Sequence, residues 1–268
     1  MLMVGTAGYS YQDWKGVFYP PTMKDSDFLR FYSERFDCVE IDSTYYTVPS
    51  PFMFEAISKK VPEGFRFTVK VPGTFTHQRE KFEETALEFR RSIEPIVEKG
   101  MLGCLVAQFP YSFKASGEGL EHIERISKGM RQPLVVEFRH RSWQNRNVYR
   151  FLEDRGIGYV NVDLPRIPGL PVPSETVTSA DVAYVRFHER VDAKTWWEPG
   201  EAKQRYAYLY SEDELREWVP RIKHIESVSR HLYVVFNNHF RGFATQNAKM
   251  TGQILGLGRK RQVQELGG

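Results

Sequence analysis

Cysteine, charge of one sign and long apolar runs are all scarce in this sequence, and each scarcity removes a class of protein. Of 268 residues only two are cysteines, Cys38 and Cys104, each inside an apolar run. They read as buried free thiols, so neither a disulfide framework nor a cysteine-based metal motif is expected. Lys and Arg number 37 against 34 Asp and Glu, for a formal net charge of +3. That is far from the dense positive field of a nucleic-acid coat, although a local basic site is allowed. The longest apolar stretches, such as residues 232–236, are strand-sized, so no bilayer span and no membrane partner are expected. The opening MLMVGTAGYS has neither the basic start nor the apolar stretch of a signal peptide, and the chain reads as cytoplasmic. Phosphate-binding glycine loops are missing too: Gly5-Thr6-Ala7-Gly8 is too degenerate, and there is no Walker sequence. No G-x-S-x-G elbow supports a serine nucleophile, and no internal repeat is visible.

What the chain does contain is a 41% hydrophobic content, enough for a sizeable core. Short β-rich runs at 3–6, 38–41, 67–71, 103–109, 134–138, 158–162, 183–187 and 232–236 alternate with amphipathic stretches at 26–36, 52–60, 79–99, 119–130, 147–154, 211–227 and 243–257. Ser211 before three acidic residues, and Asn145, are good helix starts. Alternation predicts a parallel sheet, and eight strands at this length predict a closed, TIM-type (β/α)8 barrel, an α/β fold over a single domain, residues 1–268. An open doubly wound sheet is the alternative. Two stretches break the rhythm: the proline-rich 164–180 in place of most of a sixth helix, and a long insertion, 188–210, after the seventh strand.

Strand alternation points to a site. Val39 and Ile41 oppose Cys38, Glu40 and Asp42, and Phe67, Val69 and Val71 oppose Thr68 and Lys70. Further on, Val136 and Phe138 oppose Glu137 and Arg139; Val160, Val162 and Leu164 oppose Asn161 and Asp163. In the last two strands, Val185 and Phe187 oppose Tyr184, Arg186 and His188, and Val234 and Phe236 oppose Tyr233 and Asn237. If the apolar faces meet the outer helices, the polar ones face the barrel interior near the C-terminal strand ends, where barrel enzymes place their active sites. The inferred ring is Glu40, Lys70, Gln108, Glu137, Arg139, Asp163, Arg186 and Asn237. Some of these charges can simply neutralise one another across neighbouring strands. Glu137 and Asp163 on adjacent strands suggest an acid–base pair with one carboxyl kept protonated unless Arg139 intervenes, with Glu40 across the mouth. The cations Lys70, Arg139 and Arg186 suit a phosphate or carboxylate on a substrate. Aromatics thicken in the loops: Tyr9, Tyr11, Trp14, Phe18 and Tyr19, then Tyr45, Tyr46, Trp143, Trp196 and Trp197. They can stack on sugars or bases, or anchor loops as small cores. His77, His140, His188 and His239 follow strand ends, but without HxH or HExxH spacing neither a metal nor another cofactor is expected.

The blocks GTAGYSYQDWKGVFYP, FDCVEIDSTYYTVPS, FTVKVPGTFTH, VVEFRHRSW, YAYLYSEDELREW and FNNHFRGFATQNA occur in order from Gly5 to about Leu255. Together they resemble the YecE-like family, domain of unknown function seventy-two. The resemblance implies a TIM-type barrel and carries no assigned activity. Its blocks fall on Gly8, Tyr11, Trp14, Glu40, Thr44, Tyr46, Lys70, His77, Glu137, Arg139, His140, Trp143, Asp163, Arg186, His188, Asn237 and Asn238. Tyr9 departs from the family pattern, which more often has tryptophan there. A fold likeness to metal-dependent nucleases of abasic DNA meets no matching His/Glu/Asp ligand set in this sequence.

Three functions are therefore in play. The first is a hydrolase of a sugar- or nucleotide-like, phosphorylated substrate. It would use Glu40, Glu137 and Asp163 for catalysis and Tyr11, Trp14, Tyr46, Lys70, His77, Gln108, Arg139, His140, Trp143, Arg186, His188, Asn237 and Asn238 for binding. The second is a nucleic-acid-binding, nuclease-like protein, suggested by Lys194, Lys203 and Arg205 among the aromatics of the insertion. The third is a non-catalytic binding protein for a small ligand in the same mouth. Oligomeric state is not legible.

Overall fold

Eight strands and the helices between them run through residues 1–79, 82–197 and 206–257, which are those the computed structural model describes. The strands are β1 (Leu2–Ala7), β2 (Cys38–Ile41), β3 (Arg66–Lys70), β4 (Leu102–Gln108), β5 (Leu134–Glu137), β6 (Gly158–Asp163), β7 (Val182–Phe187) and β8 (His231–Phe236). Each is parallel to its neighbours, and β8 pairs with β1, so the sheet closes into a barrel in simple sequence order. The helices are α1 (Phe28–Ser33), α2 (Pro51–Ser58), α3 (Phe82–Glu98), α4 (Gly117–Met130), α5 (Arg146–Glu153), α6 (Ala193–Trp197), α7 (Glu212–Arg216), α8 (Val219–Val228) and α9 (Phe243–Ile254).

Local chemistry sets most of these boundaries. The Asn145 side chain accepts from the backbone N–H groups of Asn147 and Val148 and starts α5. Ser211 and Glu214 form a reciprocal capping box at α7. The single helix expected over 211–227 is instead two. Pro220 lies in the first turn of α8, where its missing N–H costs nothing, and it cannot continue α7. Between β6 and β7 there is no helix, and residues 164–181 run as an ordered loop.

The barrel separates two apolar layers. Outside, Val39, Ile41, Val69, Leu105, Val136, Val185, Val234 and Phe236 pack against helix residues such as Phe89, Ile93, Ile123 and Ile222. Inside, Met3, Cys38, Cys104, Val106, Val135, Val160, Val162, Tyr184, Tyr233 and Val235 fill the lumen. Both cysteines are free thiols in this inner layer. The register carries the same partition from strand to strand, because paired residues share a face: Glu40 pairs with Thr68, Lys70 with Val106, Gln108 with Glu137, and Arg186 with Val162 and Val235.

β6 reverses the expected orientation. Val160 and Val162 pair with the inward Tyr184 and Arg186, so Asn161 and Asp163 face outward. The reason lies in the missing helix. A helix would present an apolar stripe to β6, whereas the loop presents backbone polar groups, and the outer face of β6 is polar to match. Asn161 Nδ2 donates to Thr176 O at 2.8 Å, while its Oδ1 accepts from Thr176 N at 2.9 Å and Ser174 Oγ at 2.6 Å.

Close approach of β1 and β2 requires a glycine. Gly5 pairs with Cys38, and a methyl group at Gly5 would overlap the Cys38 carbonyl. Backbone cannot yield as a flexible side chain can. Gly5→Ala should therefore destabilise the protein by at least about 1–3 kcal/mol, the usual cost of overpacking. An unchanged denaturation midpoint would contradict this packing of β1 on β2.

Candidate active site at the barrel mouth

Arg186 stands at the centre of the mouth, reaching inward from β7 with 1% of its side chain exposed. Its Nη2 donates to Glu40 Oε1 at 2.7 Å and its Nη1 to Glu137 Oε2 at 2.9 Å. The guanidinium thus bridges two carboxylates from β2 and β5, both fully buried. The remaining oxygens are also engaged. Tyr184 OH donates to Glu40 Oε2 at 2.8 Å and lies 3.0 Å from Thr68 Oγ1. Glu137 Oε1 is 2.7 Å from Arg139 Nε and 3.1 Å from His188 Nε2. Asn237 Nδ2 lies 3.2 Å from His188 Nδ1, and Arg139 Nη2 lies 3.3 Å from Nδ1 and 3.1 Å from Nε2, so the imidazole is packed among the donors Asn237 and Arg139 as well as against Glu137.

These contacts set the protonation states. Burial alone would raise the Glu137 carboxyl, but Arg139, Arg186 and His188 outweigh it and hold the group well below the usual carboxylate range. Burial, with Arg139 beside it, pushes His188 down to about 3. Arg186 loses stabilisation of its charge through burial but regains more from Glu40 and Glu137, so its proton is held more firmly than usual.

Above this layer lies Lys70, at the end of β3. Its Nζ donates to Gln108 Oε1 at 2.9 Å and sits 4.5 Å from the centre of the Tyr45 ring. Burial, then the positive charge of Arg186, lower its pKa to about 8, against the opposing pull of Glu40 and Glu137. Gln108 Oε1 also lies 3.4 Å from Arg186 Nη1 and so ties the lysine to the network. Within this connected set, three cations face two carboxylates and a neutral histidine. At the rim, the carboxylates of Asp42 and Glu189 act on Tyr11 and Tyr206, so cations and anions are mixed at the opening.

Aromatic rings form the rim. The Tyr11 ring stacks on His239 at 4.5 Å, and His239 stacks on Tyr206 at 4.3 Å. Tyr46 is 83% exposed beside Tyr45, His77 packs against Tyr45 at 5.0 Å, and the Arg139 guanidinium lies 5.8 Å from the Trp196 ring. Burial and the charges of Lys70 and Arg139 keep His77 below its ordinary pKa.

The structure therefore gathers Glu40, Lys70, Gln108, Glu137, Arg139, Arg186, His188 and Asn237 into one network, with Tyr11, Tyr46 and His77 at its rim. It sends five other candidates elsewhere. Asp163 is on the outer face of β6, where Arg190 Nη2 and Trp218 Nε1 each donate to its Oδ2 at 2.7 Å; burial raises its pKa. No Glu137–Asp163 acid–base pair exists. Trp14 is fully buried and donates to His239 O at 2.7 Å, and Trp143 is fully buried against Phe138 at 4.4 Å. Both are loop anchors. Asn238 points away from the mouth, donating to Tyr208 O and Asn247 Oδ1. His140 caps the turn that follows it, accepting from Ser142 N at 3.1 Å. Two supporting residues escaped the candidate set: Tyr184, visible in the alternation as an inward tyrosine, and Tyr206, with no signal beyond its place in the aromatic insertion. Lys203 and Arg205 lie outside the described residues. Among the described residues, no group of three His, Cys, Asp or Glu side chains is placed to hold a metal. No helix there is long and apolar enough to cross a membrane.

Comparison with known proteins places this architecture. The family model described as "Protein of unknown function DUF72" matches residues 3–266. The chain belongs to the DUF72 family. Within that family's relatives, UPF0759 protein YunF of Bacillus subtilis is 29% identical over 273 residues, covering 96% of this chain and 95% of its own. UPF0759 protein YecE of Escherichia coli K12 is 25% identical over 188 residues, 67% of this chain and 65% of its own. Among solved structures, a DUF72 protein from Thermotoga maritima is 41% identical with a TM-score of 0.87, over 95% of this chain and 99% of its own. One from Enterococcus faecalis is 27% identical with a TM-score of 0.85, over 96% of each chain. The DUF72 assignment supplies a fold and leaves the chemistry of the mouth to be read from its side chains.

The low pKa of His188 has a consequence for stability. Its folded value, about 3, lies below the ordinary 6.5. Between those values the unfolded chain binds a proton that the native protein refuses, so stability falls as pH drops through that window. His239, lowered to about 4 by burial, acts with the same sign. Denaturation measured between pH 7 and pH 5 should show this decline, and His188→Gln should make it shallower. Equal slopes for the two proteins would contradict a buried neutral His188.

Proposed function

We propose that the protein is an enzyme whose barrel mouth binds a small anionic sugar- or nucleotide-like compound and performs acid–base chemistry on it. The observation that carries this reading is a partly buried lysine, Lys70, at the mouth without an ion-pair partner among the described residues and with Arg139 in the same network. Arg186 bridges Glu40 and Glu137, the partly exposed Arg139 also pairs with Glu137, and Lys70 sits at the end of β3 beside them. An incoming phosphate or carboxylate would give Lys70 the anionic partner it lacks and accept charge-assisted hydrogen bonds. The rings of Tyr11, Tyr46 and Tyr206 around the opening suit the faces of a sugar or base.

The division of labour differs from a paired-carboxylate hydrolase. Such a reaction needs a protonated carboxylic acid near neutral pH, and the cations around Glu137 oppose one there. Lys70, with a pKa of about 8, is better matched to giving and taking a proton near neutrality. Glu137, Arg186 and Glu40 then serve as a fixed charged floor. Hydrolysis remains within this proposal with Lys70 as the proton carrier and water as the nucleophile. A non-catalytic binding protein would use the same mouth, and turnover separates the two. The nucleic-acid reading gains no contact from the structure, since Lys194 is exposed on the short α6 and the cations beyond it are not described.

A panel of sugar phosphates and nucleoside monophosphates, set beside the uncharged sugars and nucleosides, tests the reading by calorimetric binding and by product analysis. The phosphorylated members should bind, and Arg139→Ala should weaken them by about tenfold or more, as loss of a charged hydrogen bond does. Equal binding of charged and uncharged members would overturn the anionic assignment; saturable binding with no product would favour the binding protein.

A further inference from the structure

Most lysines whose contacts are defined in this protein sit beside a carboxylate. Lys15 pairs with Asp25 at 3.0 Å, Lys59 and Lys99 with Glu55 at 2.9 and 2.6 Å, and Lys128 with Glu124 at 2.7 Å. Lys70 differs. Its Nζ has a neutral amide oxygen and an aromatic face as neighbours, and no carboxylate lies within ion-pair distance among the described residues. The two carboxylates nearest in the network are already engaged by Arg186, Arg139, His188 and Tyr184. The ammonium form of Lys70 is stabilised directly only by that amide oxygen and ring face, while burial and Arg186 act against it, and the residue sits at the C-terminal end of β3 in the mouth. A desolvated lysine beside other cations is the usual form of a nucleophilic amine.

We propose that Lys70 is a covalent nucleophile that forms an imine with the aldehyde or ketone carbon of a phosphorylated or carboxylated substrate, such as an open-chain sugar phosphate. This deepens the reading of the mouth as an anion-binding active site and rests on it. In the reaction the lone pair of the neutral Nζ attacks the carbonyl carbon. The carbon–oxygen π pair moves to oxygen, and a proton passes from nitrogen to that oxygen to give a carbinolamine. The hydroxyl then leaves with a proton as one water molecule, and the nitrogen–carbon double bond forms. No oxidant or reductant is needed. Arg139 holds the anionic group of the substrate, while Gln108 Oε1 orients the amine through its hydrogen bond. The lowered basicity of Lys70 supplies a fraction of free amine near neutral pH, which an ordinary lysine lacks.

Pyridoxal 5′-phosphate, an anionic aldehyde, is the probe. The full chain is incubated with it at pH 7.5, reduced with borohydride, and analysed by peptide mass spectrometry, with inorganic phosphate as competitor. Selective labelling of Lys70, suppressed by phosphate and absent in Lys70→Arg, is the expected result. Lys70→Arg keeps the positive charge, so it should still bind phosphate while losing the label, and that binding shows that the variant is folded. Phosphate-competed binding of the probe without reduction onto Lys70 would overturn the covalent role and leave the anionic site standing. Labelling spread over exposed lysines such as Lys59 and Lys128, with no phosphate competition, would overturn both.

Discussion

The mouth of this barrel depends on one guanidinium held between two carboxylates. Arg186 crosses from β7 to Glu40 on β2 and Glu137 on β5, so three well-separated strands meet at a single buried cation. Taking three charges out of water is expensive, and only dense pairing makes it tolerable; removing one partner from such a set costs about 3–5 kcal/mol. Every other feature of the site follows from that arrangement. With their oxygens engaged from below, the carboxylates leave Lys70 without an ion-pair partner. Arg139 and His188 lean on Glu137 from the side. Lys70 stands above this paired floor at the opening.

The fold was readily legible from the sequence because its signal is periodic. Strand-sized apolar runs recur between amphipathic helices, and near their ends the alternation exposes Glu40, Lys70, Glu137, Arg186 and Asn237 on one face. That logic assumes that every strand is covered by an apolar helix. It holds for β2, β3, β5, β7 and β8 and fails for β6, whose outer neighbour is a proline-rich loop. There Val160 and Val162 turn inward and Asp163 turns out to Arg190 and Trp218. The sequence shows that residues 164–180 replace a helix, and a strand covered by a loop turns its polar face outward. Composition cannot separate the two roles of a loop aromatic either. Tyr46 and Trp14 look alike in sequence, yet one is exposed at the rim and the other is a buried anchor whose indole donates to a backbone carbonyl.

Protonation is the part least legible in the sequence. A pair of carboxylates suggests an acid and a base only when their environments differ. Here both lie on Arg186, and Arg139 adds a second cation to Glu137, so the environment favours charge on Glu137. The cation of this network left without an ion-pair partner among the described residues is Lys70, a residue whose sequence context gives no hint beyond inward alternation. Pairing in three dimensions decides which cation stays unpartnered.

The central claim is that Glu40 and Glu137 act through the shared Arg186. A double-mutant cycle of Glu40→Gln and Glu137→Gln, measured by equilibrium chemical denaturation, tests it most directly. The account predicts strong non-additivity, with an interaction energy of about 1–3 kcal/mol between two residues that do not need to touch. Additivity within about 0.3–0.5 kcal/mol, the behaviour of independent sites, would contradict it.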